Sequence, residues 1–365
     1  MPPAMTSRER IRAVLDRKLP DRVPIADITA ACWPATYDRW RSEGLPEGMD
    51  PRDYFGMDRV EIVGFDGGLQ LPVETVEQGD RWRIVRDANG VSVKEWLDAT
   101  GEYSPPTRVG CLVKTRDAWE RVKDRLQPDP SRFDDGSVAH ARLANEQGHF
   151  TVLTAIEPAW FLLEVITGYE DGLPILVEDP ELAWDIMSAY TDFTLAMCDR
   201  CLERGARFDA LWFFSDLCYK NGMLFSPACY RQMILPLHRR FREWCTARGL
   251  FMMLHCDGDV RRFLPLVIEA GFDAIQPLEA RCGNDVRELK GAYGGDIVLY
   301  GNISADVMAY GTDAELEHEV RSKVLAAKEG GGYIYHVDHS IPPTIGLARY
   351  ARVIELVREH GSYDG

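Results

Sequence analysis

The sequence has few basic residues relative to acidic ones. Its 42 Lys and Arg are outnumbered by 58 Asp and Glu, which gives a formal net charge of −16 at pH 7. Proteins that bind nucleic acid present a basic surface that displaces counterions from phosphates. The acidic balance therefore argues against a nucleic-acid partner and against an anionic membrane surface.

Long hydrophobic runs are also missing. No window approaches the roughly 18 uninterrupted apolar residues of a membrane-spanning helix. Residues 1–10 lack the apolar core of a signal peptide. We therefore expect a cytoplasmic protein that has no membrane partner.

Cysteines are scattered and do not suggest a disulfide framework. The nine thiols are odd in number, so we expect them to be reduced. Cys198 and Cys201 have the Cys-x-x-Cys spacing, but no second pair completes a zinc knuckle. We interpret this pair as structural.

Several motifs of nucleotide binding and nucleophilic catalysis are absent. The chain has no P-loop, no Gly-x-Gly-x-x-Gly after a predicted strand, and no Gly-x-Ser-x-Gly elbow. These absences disfavour redox chemistry on a nicotinamide and hydrolysis by an activated serine.

The residues that are present describe a globular enzyme-sized chain. The 365 residues are 45% hydrophobic and 27% charged, and they could fill one large barrel or two ordinary domains. No internal repeat or low-complexity linker marks a boundary, so we expect one domain over residues 1–365. Thr6 and Glu9 have the spacing of a capping box and predict the first helix.

The chain alternates between strand and helix patterns, which predicts a parallel sheet. A different pattern at residues 68–108, with Asn89-Gly90 between two alternating runs, predicts a small antiparallel insertion. The strands needed for a (β/α)8 barrel of the TIM type are then present. We predict strands at 23–26, 60–64, 151–156, 208–213, 250–254, 273–276, 297–300 and 332–335, and helices at 181–204, 227–248, 259–270, 284–291, 313–328 and 346–359.

Acidic residues, histidines and an amide follow the predicted strands. In a barrel these positions converge at the C-terminal face, where such folds keep their active sites. Polar residues are common in loops, but three of the eight histidines fall at these positions. The residues are Glu157, Asp216, His255, Asp257, Glu279, Asn302, His336, Asp338 and His339.

Two of these segments could hold a metal ion. His255 and Asp257 would point the same way along an extended segment, whereas Cys256 would point the other way and is the less favoured ligand. His339 could complete a site with three protein ligands and one open position. Alternatively, Asp257 caps a helix, and Asp338 pairs with His339.

Other strand exits could bind substrate or move protons. Asp216 could bind a polar group or act as an acid or base. Asn302 could donate a hydrogen bond or form a turn. Aromatic residues near the exits could line a pocket, although such residues are more often core. These are Trp33, Trp160, Phe161 and Tyr219.

The order of several segments resembles the uroporphyrinogen decarboxylase superfamily. The segments are Asp21-Arg-Val-Pro24, the Asp216 loop up to Ser226-Pro227, His255-x-Asp-Gly258, Gly301-Asn302-Ile303 and the glycine-rich last strand. The resemblance covers nearly the whole chain and implies the (β/α)8 fold. It is closer to the cobalamin-dependent methyltransferase branch, because residues 27–34 lack the arginines with which the haem-pathway decarboxylase grips its polyanionic substrate.

The resemblance implies a metal site with altered ligands. Methyltransferases of that branch hold zinc with a His-x-Cys pair and a later Cys, and the matching positions here are His255, Asp257 and His339. A carboxylate and an imidazole in place of two thiolates make the site harder and less selective for zinc. Asp216, Glu279, Asp338 and His336 would handle protons or support the ligands.

We therefore expect a metal-dependent methyltransferase of the demethylase type, with zinc as the favoured ion. A separate protein would carry the corrinoid, since the barrel leaves no room for a cobalamin domain, and a homodimer is compatible with the sequence. A metal-assisted or cofactor-free decarboxylase or lyase of a small carboxylic acid is the alternative, with Asp216 as the acid. A third possibility is a barrel that binds a ligand without turnover.

Overall fold

The structure, a computed structural model, describes residues 5–26, 33–97 and 107–363. The strands of these residues form three sheets. Alternating or short apolar runs bounded by turn residues produce these strands. The strands are β1 (Val60–Gly64), β2 (Glu74–Gln78), β3 (Trp82–Arg86), β4 (Val91–Trp96), β5 (Thr107–Cys111), β6 (Phe150–Ile156), β7 (Ala210–Phe214), β8 (Cys218–Tyr219), β9 (Gly222–Met223), β10 (Phe251–Cys256), β11 (Ala274–Pro277), β12 (Val298–Tyr300) and β13 (Tyr333–Ile334).

Helices separate most of the parallel strands. None of the described helices is long and apolar enough to cross a membrane. They are α1 (Ser7–Leu15), α2 (Pro34–Ser42), α3 (Pro51–Tyr54), α4 (Arg116–Glu120), α5 (Asp135–Glu146), α6 (Pro158–Trp160), α7 (Tyr169–Glu178), α8 (Pro180–Glu203), α9 (Pro227–Cys229), α10 (Leu235–Arg248), α11 (Leu264–Ala270), α12 (Val286–Tyr293), α13 (Ala305–Tyr310), α14 (Asp313–Lys328) and α15 (Leu347–Gly361).

The largest sheet is parallel and has seven strands in the order β1-β6-β7-β10-β11-β12-β13. It gives the chain an α/β fold with a half-barrel sheet. Its strands are nearly continuous apolar runs because both faces are covered, and all four residues of β11 are buried. One face packs against Ile11, Val14 and Leu15 of α1, whose predicted capping box at Thr6 is present.

The predicted antiparallel insertion is confirmed. Strands β2, β3, β4 and β5 form a four-stranded antiparallel sheet, and the turn at Asn89-Gly90 joins β3 to β4. Residues 98–106 of the predicted insertion lie outside the described residues.

Residues 23–26 differ from the predicted strand. Ile25 and Ala26 make isolated parallel bridges to Tyr335 and Asp58 rather than a regular ladder. The carboxylate of Asp58 accepts the Ile25 N–H at 2.8 Å, so a side chain replaces part of the strand pairing. The closure of eight strands into a barrel therefore stays a prediction.

Several helix boundaries also differ from the predicted ones. The helix predicted at 259–270 begins only at Leu264, and the one predicted at 227–248 contains a π-helical turn at Tyr230–Ile234. The sequence patterns missed α2, α5 and α7. Of these, α5 follows the antiparallel insertion, whereas α2 precedes β1 and α7 lies between β6 and β7.

Candidate active site

Five of the predicted residues lie together at the C-terminal edge of the parallel sheet. Neighbouring strands β7, β10 and β11 end next to one another, and the loop after β13 brings His339 to the same edge. These five residues, called the cluster below, form two groups that could each hold a metal ion within the described residues. These groups are Asp216, His255 and Asp257, and Asp257, Glu279 and His339.

Asp257 lies between the two histidines of the cluster. Its Oδ1 is 3.8 Å from His255 Nε2, and its Oδ2 is 3.3 Å from His339 Nε2. The backbone N–H of Asp257 donates to Asp216 Oδ1 at 2.9 Å. Oδ1 of Asp257 is buried and has no hydrogen-bond partner in the described part of the chain. Asp257 is thus the centre of the cluster.

His255 is held in one orientation by two neighbours. Its ring stacks on Phe214 with centroids 4.3 Å apart and an angle of 6°. Its Nδ1 lies 2.6 Å from Gln276 Oε1, an atom that can only accept a hydrogen bond. Nδ1 therefore carries the proton, and the lone pair of Nε2 faces the carboxylates of Asp216 and Asp257.

Glu279 is fixed by the turn that follows β10. Its Oε2 accepts the backbone N–H of Gly258 at 2.7 Å. Its Oε1 accepts from the guanidinium of Arg281 at 2.9 Å. Glu279 is 5% exposed, so these contacts largely set the orientation of its carboxylate toward the cluster.

Asp338 and His336 support the cluster from the segment that follows β13. Asp338 accepts the backbone N–H groups of Ala280 at 3.0 Å and Ala305 at 2.8 Å, and so joins the loops after β11 and β12. Burial raises the pKa of Asp338, and these two hydrogen bonds only partly oppose the shift. His336 is buried with Nε2 3.4 Å from Gln276 Nε2.

The pKa values of Asp216 and Asp257 shift in opposite directions. Burial raises the pKa of Asp216. Burial also acts to raise the pKa of Asp257, but its hydrogen bond to His339 prevails and lowers it. The same hydrogen bond raises the pKa of His339. Negative charge is therefore concentrated on Asp257.

The Asp257–His339 pair predicts how the stability of the metal-free protein varies with pH. Asp257 has a lowered folded-state pKa, so its contribution is lost as pH falls through that value. His339 has a raised one, so its contribution is lost as pH rises through it. We expect His339→Gln to be most destabilising between about pH 4 and about pH 6.5. Urea unfolding with chelator present measures this, and a difference that grows above neutral pH would contradict it.

A cleft of about 480 Å³ opens beside the cluster. The hairpin of β8 and β9 forms one wall and carries Tyr219, which is 48% exposed. Two cations, Lys220 and Arg281, lie in the lining together with the carboxylates. The predicted substrate-binding residue Tyr219 therefore lies where a small molecule would reach the cluster.

Gly258 allows the hairpin to approach the cluster. Its φ is +89°, and a Cβ there would lie 2.7 Å from the backbone oxygen of Tyr219. We expect Gly258→Ala to lower the free energy of unfolding by about 1–3 kcal/mol, since it adds both backbone strain and a clash. Gly295→Ala is the control, because a Cβ there meets nothing within 4 Å. Equal unfolding midpoints for the two variants would contradict the prediction.

Glu157, predicted to bind substrate, is fully buried behind the cluster. Its Oε1 lies 2.7 Å from Nε2 of His238, which sequence patterns did not single out. Its Oε2 accepts from Ser215 Oγ at 3.1 Å and from the backbone N–H of Trp160 at 2.7 Å. Glu157 thus holds the segment that leads to Asp216.

The predicted aromatic residues occupy different environments. Trp160 contacts Phe214, the ring that stacks on His255, with centroids 5.8 Å apart. Phe161 is buried and stacks on Tyr190 at 3.8 Å, as a core residue does. Trp33 is half exposed at the start of α2.

Asn302, also predicted to bind substrate, is completely buried. Its Oδ1 accepts the Val286 N–H at 2.9 Å, and its Nδ2 donates to the carbonyls of Leu278 and Asn284. Its φ of +83° is one that Asn tolerates in a turn. Both polar atoms of its side chain are therefore engaged with the backbone.

Sequence patterns missed Gln276 as a part of the site. It lies within β11 and was included in a predicted strand, although it was the one polar side chain of Ala274–Pro277. A polar residue within a buried run was the available signal. Lys220 and Arg281 gave no such signal, because charged residues are common in exposed loops.

The chain belongs to the uroporphyrinogen decarboxylase (URO-D) family, whose model matches residues 111–360. This matched segment contains the whole cluster. The family membership agrees with the resemblance seen in the sequence and with its methyltransferase branch.

Two curated relatives and one solved structure are similar to the chain. The methylated-thiol–coenzyme M methyltransferase of Methanosarcina mazei is 24% identical over 54% of this chain and 54% of its own length. The uroporphyrinogen decarboxylase of Streptomyces avermitilis is 26% identical over 52% of this chain and 50% of its length. The chain therefore spans about half the length of the curated relatives it matches. A solved methyltransferase from Methanosarcina mazei shares the fold, with a TM-score of 0.62 at 15% identity over 97% of this chain and 99% of that one.

Proposed function

We propose that the protein transfers a methyl group between a small substrate and a corrinoid held by a partner protein, with the help of a divalent metal ion. Membership of the family and similarity to a methyltransferase support the reaction class. The observation that carries the metal-dependent part is Asp257, whose two carboxylate oxygens face His255 and His339.

The residues of the cluster fit a divalent ion. Two ligands about 2.0 Å from a tetrahedral zinc lie about 3.3 Å from each other. The 3.3 Å between Asp257 Oδ2 and His339 Nε2 matches this separation, and the 3.8 Å between Asp257 Oδ1 and His255 Nε2 is somewhat longer. His255, Asp257 and His339 would supply ligands to the metal site, with zinc as the favoured metal. When bound, it supplies a Lewis acid that polarises an ether, amine or carboxylate group.

Other residues of the chain would prepare the site for that ion and for the substrate. Gln276 keeps the proton of His255 on Nδ1 and so leaves Nε2 available. Asp338 fixes the loops that frame the cleft. Lys220 and Arg281 would attract an anionic part of the substrate, since both line the cleft.

We also propose that residues 23–26 complete an eight-stranded barrel within a single domain. The bridges of Ile25 to Tyr335 and of Ala26 to Asp58 support this closure, because they connect the segment to both edges of the seven-stranded sheet. The corrinoid would be carried by a separate protein. A homodimer stays compatible with this arrangement.

The test is a methyl-transfer assay with free cob(I)alamin as a surrogate for the carrier. The purified protein is incubated with methylated ethers, amines, carboxylates and thioethers, and formation of methylcob(III)alamin is followed by absorbance. We expect turnover with one class and about one or more ions per chain by mass spectrometry. Metal-free, folded protein that produces no methylcobalamin would contradict the proposal.

A decarboxylase or lyase is the second candidate, and the raised pKa of Asp216 favours it. A carboxyl that keeps its proton more readily can protonate a carbanion after carbon dioxide leaves. In that case Asp216→Asn would abolish release of carbon dioxide from a carboxylic acid, whereas methyl transfer to cobalamin would not occur. The two assays therefore separate the candidates.

Gln276 offers a further prediction about metal binding. Gln276→Leu removes the acceptor for His255 Nδ1 at similar volume, so we expect the zinc affinity to fall by about 10–100-fold. Gln276→Glu is the matched control, because its carboxylate still accepts that hydrogen bond. Competition with a zinc indicator measures the zinc affinity of both variants. Equal losses of affinity would show that a hydrogen-bond acceptor for His255 at position 276 is unimportant.

A further inference from the structure

We infer that the cluster binds two divalent ions bridged by the carboxylate of Asp257. The first ion would have His255 and Asp216 as its other ligands. The second would have His339 and Glu279. This inference rests on the metal-dependent part of the proposed function. It raises the number of ions from one to two and makes ligands of Asp216 and Glu279.

The geometry divides the cluster into two overlapping groups. In each group all the ligand atoms lie within 4.8 Å of one another, and Asp257 alone belongs to both. The two histidines belong to different groups. Since Oδ1 of Asp257 faces His255 and Oδ2 faces His339, each oxygen would bind a different ion. A single ion would use only one of these groups.

The surroundings of His255 independently indicate a metal ion on its side of Asp257. Its side chain is 8% exposed, and its Nε2 is 3.7 Å from Asp216 Oδ1 and 3.8 Å from Asp257 Oδ1. Both distances exceed a hydrogen bond, and Nε2 makes none within the described residues. An imidazole nitrogen whose lone pair is aimed between two carboxylates, on a ring that is 8% exposed, is the arrangement that a metal ion satisfies.

The second group has the same composition on the other side. His339 Nε2 lies 3.3 Å from Asp257 Oδ2, and the Gly258 N–H orients Glu279 by donating to its Oε2. Each group therefore offers one imidazole and carboxylates from two residues. This repeated donor set suits zinc, manganese or iron rather than a thiolate-preferring ion.

Charge also favours more than one ion. Three carboxylates, those of Asp216, Asp257 and Glu279, converge on the cluster, and Arg281 pairs with the last of them. Like charges this close repel one another unless cations or protons offset them. Two ions about 3.5–4 Å apart, the usual spacing of dinuclear sites, can bind both oxygens of one substrate group. The adjoining cleft would therefore suit a substrate that carries a carboxylate.

Titration of the chelator-treated protein with Mn²⁺ tests the inference. Metal analysis should give two ions per chain, and the electron paramagnetic resonance spectrum should be that of an exchange-coupled pair. One ion with an isolated spectrum would overturn the bridge and leave the proposed function standing. Two uncoupled ions would overturn the bridge as well. No bound ion would overturn both the bridge and the metal-dependent function.

Single variants assign each half of the site. Asp216→Asn and Glu279→Gln should each leave one ion and an uncoupled spectrum, with folding checked by circular dichroism. Asp259→Asn is the matched control and should retain the coupled pair, because Asp259 pairs with Arg261 instead of the cluster. A coupled pair that persists in both Asp216→Asn and Glu279→Gln would overturn the ligand assignment. The wild-type spectrum decides the result if a variant fails to fold.

Discussion

Replacing His255 by alanine is expected to remove bound metal and to lower kcat/KM for methyl transfer by more than about 100-fold. Loss of a residue that only supports a ligand already reduces metal affinity or activity by about 10–100-fold, so loss of a ligand should reduce it further. His255 is 7% exposed and its Nε2 faces two carboxylates. Metal content by mass spectrometry and the cobalamin assay measure the two effects.

The matched control for this prediction is His318→Ala. His318 is an exposed residue of α14 that belongs to neither metal-binding group, so its removal should leave both metal content and turnover unchanged. His339→Ala should resemble His255→Ala, because both histidines face Asp257. Full activity in His255→Ala would refute the role of the cluster in catalysis.

Replacing Asp58 by alanine should lower the free energy of unfolding by about 3–5 kcal/mol. Asp58 is 1% exposed and accepts from Arg10, from Arg22 at 2.7 Å, and from the Ile25 N–H at 2.8 Å. Its removal would leave the buried guanidinium of Arg10 with Asp21 as its only carboxylate partner among the described residues, take a carboxylate from Arg22, and release residues 23–26 from their neighbours. Urea unfolding followed by tryptophan fluorescence measures the loss.

Asp16→Ala provides the comparison for Asp58→Ala. The side chain of Asp16 is 40% exposed, and its ion pair with Lys18 has a separation of 3.7 Å. Exposed pairs of this kind contribute little, so we expect a change within about 0.5 kcal/mol. A similar loss in both variants would mean that the Asp58 network does not stabilise the segment.

The strands of the parallel sheet could be predicted because their patterns are local. Residues 60–64 were predicted to their exact ends, and six further strands of the sheet, from β6 to β13, were predicted to within about two residues. Residues 23–26 were predicted less well, since their pairing depends on Asp58 and on Tyr335, which lies more than three hundred positions away in the chain. No local pattern contains that contact.

Most residues of the candidate site could be predicted from the sequence, but their arrangement was harder to predict. Strand exits identified Asp216, Asp257 and Glu279 because parallel strands bring their C-terminal ends to one edge. Gln276 was missed because a polar residue inside a buried strand resembles any other strand residue until its partner is known. Phe161 was offered as a pocket residue, but stacking on Tyr190 places it in the core.

The sequence by itself determined the α/β class, the antiparallel insertion, the family and the residues that could act as ligands, since these follow from periodicity and from short motifs. Only the tertiary structure decided that Asp257 lies between His255 and His339, that Gln276 sets the proton of His255, and that Asn302 is engaged with the backbone. The reason is physical: hydrogen-bond partners, burial and the pKa of a group depend on side chains brought together from distant strands, and a local pattern carries no record of those distances.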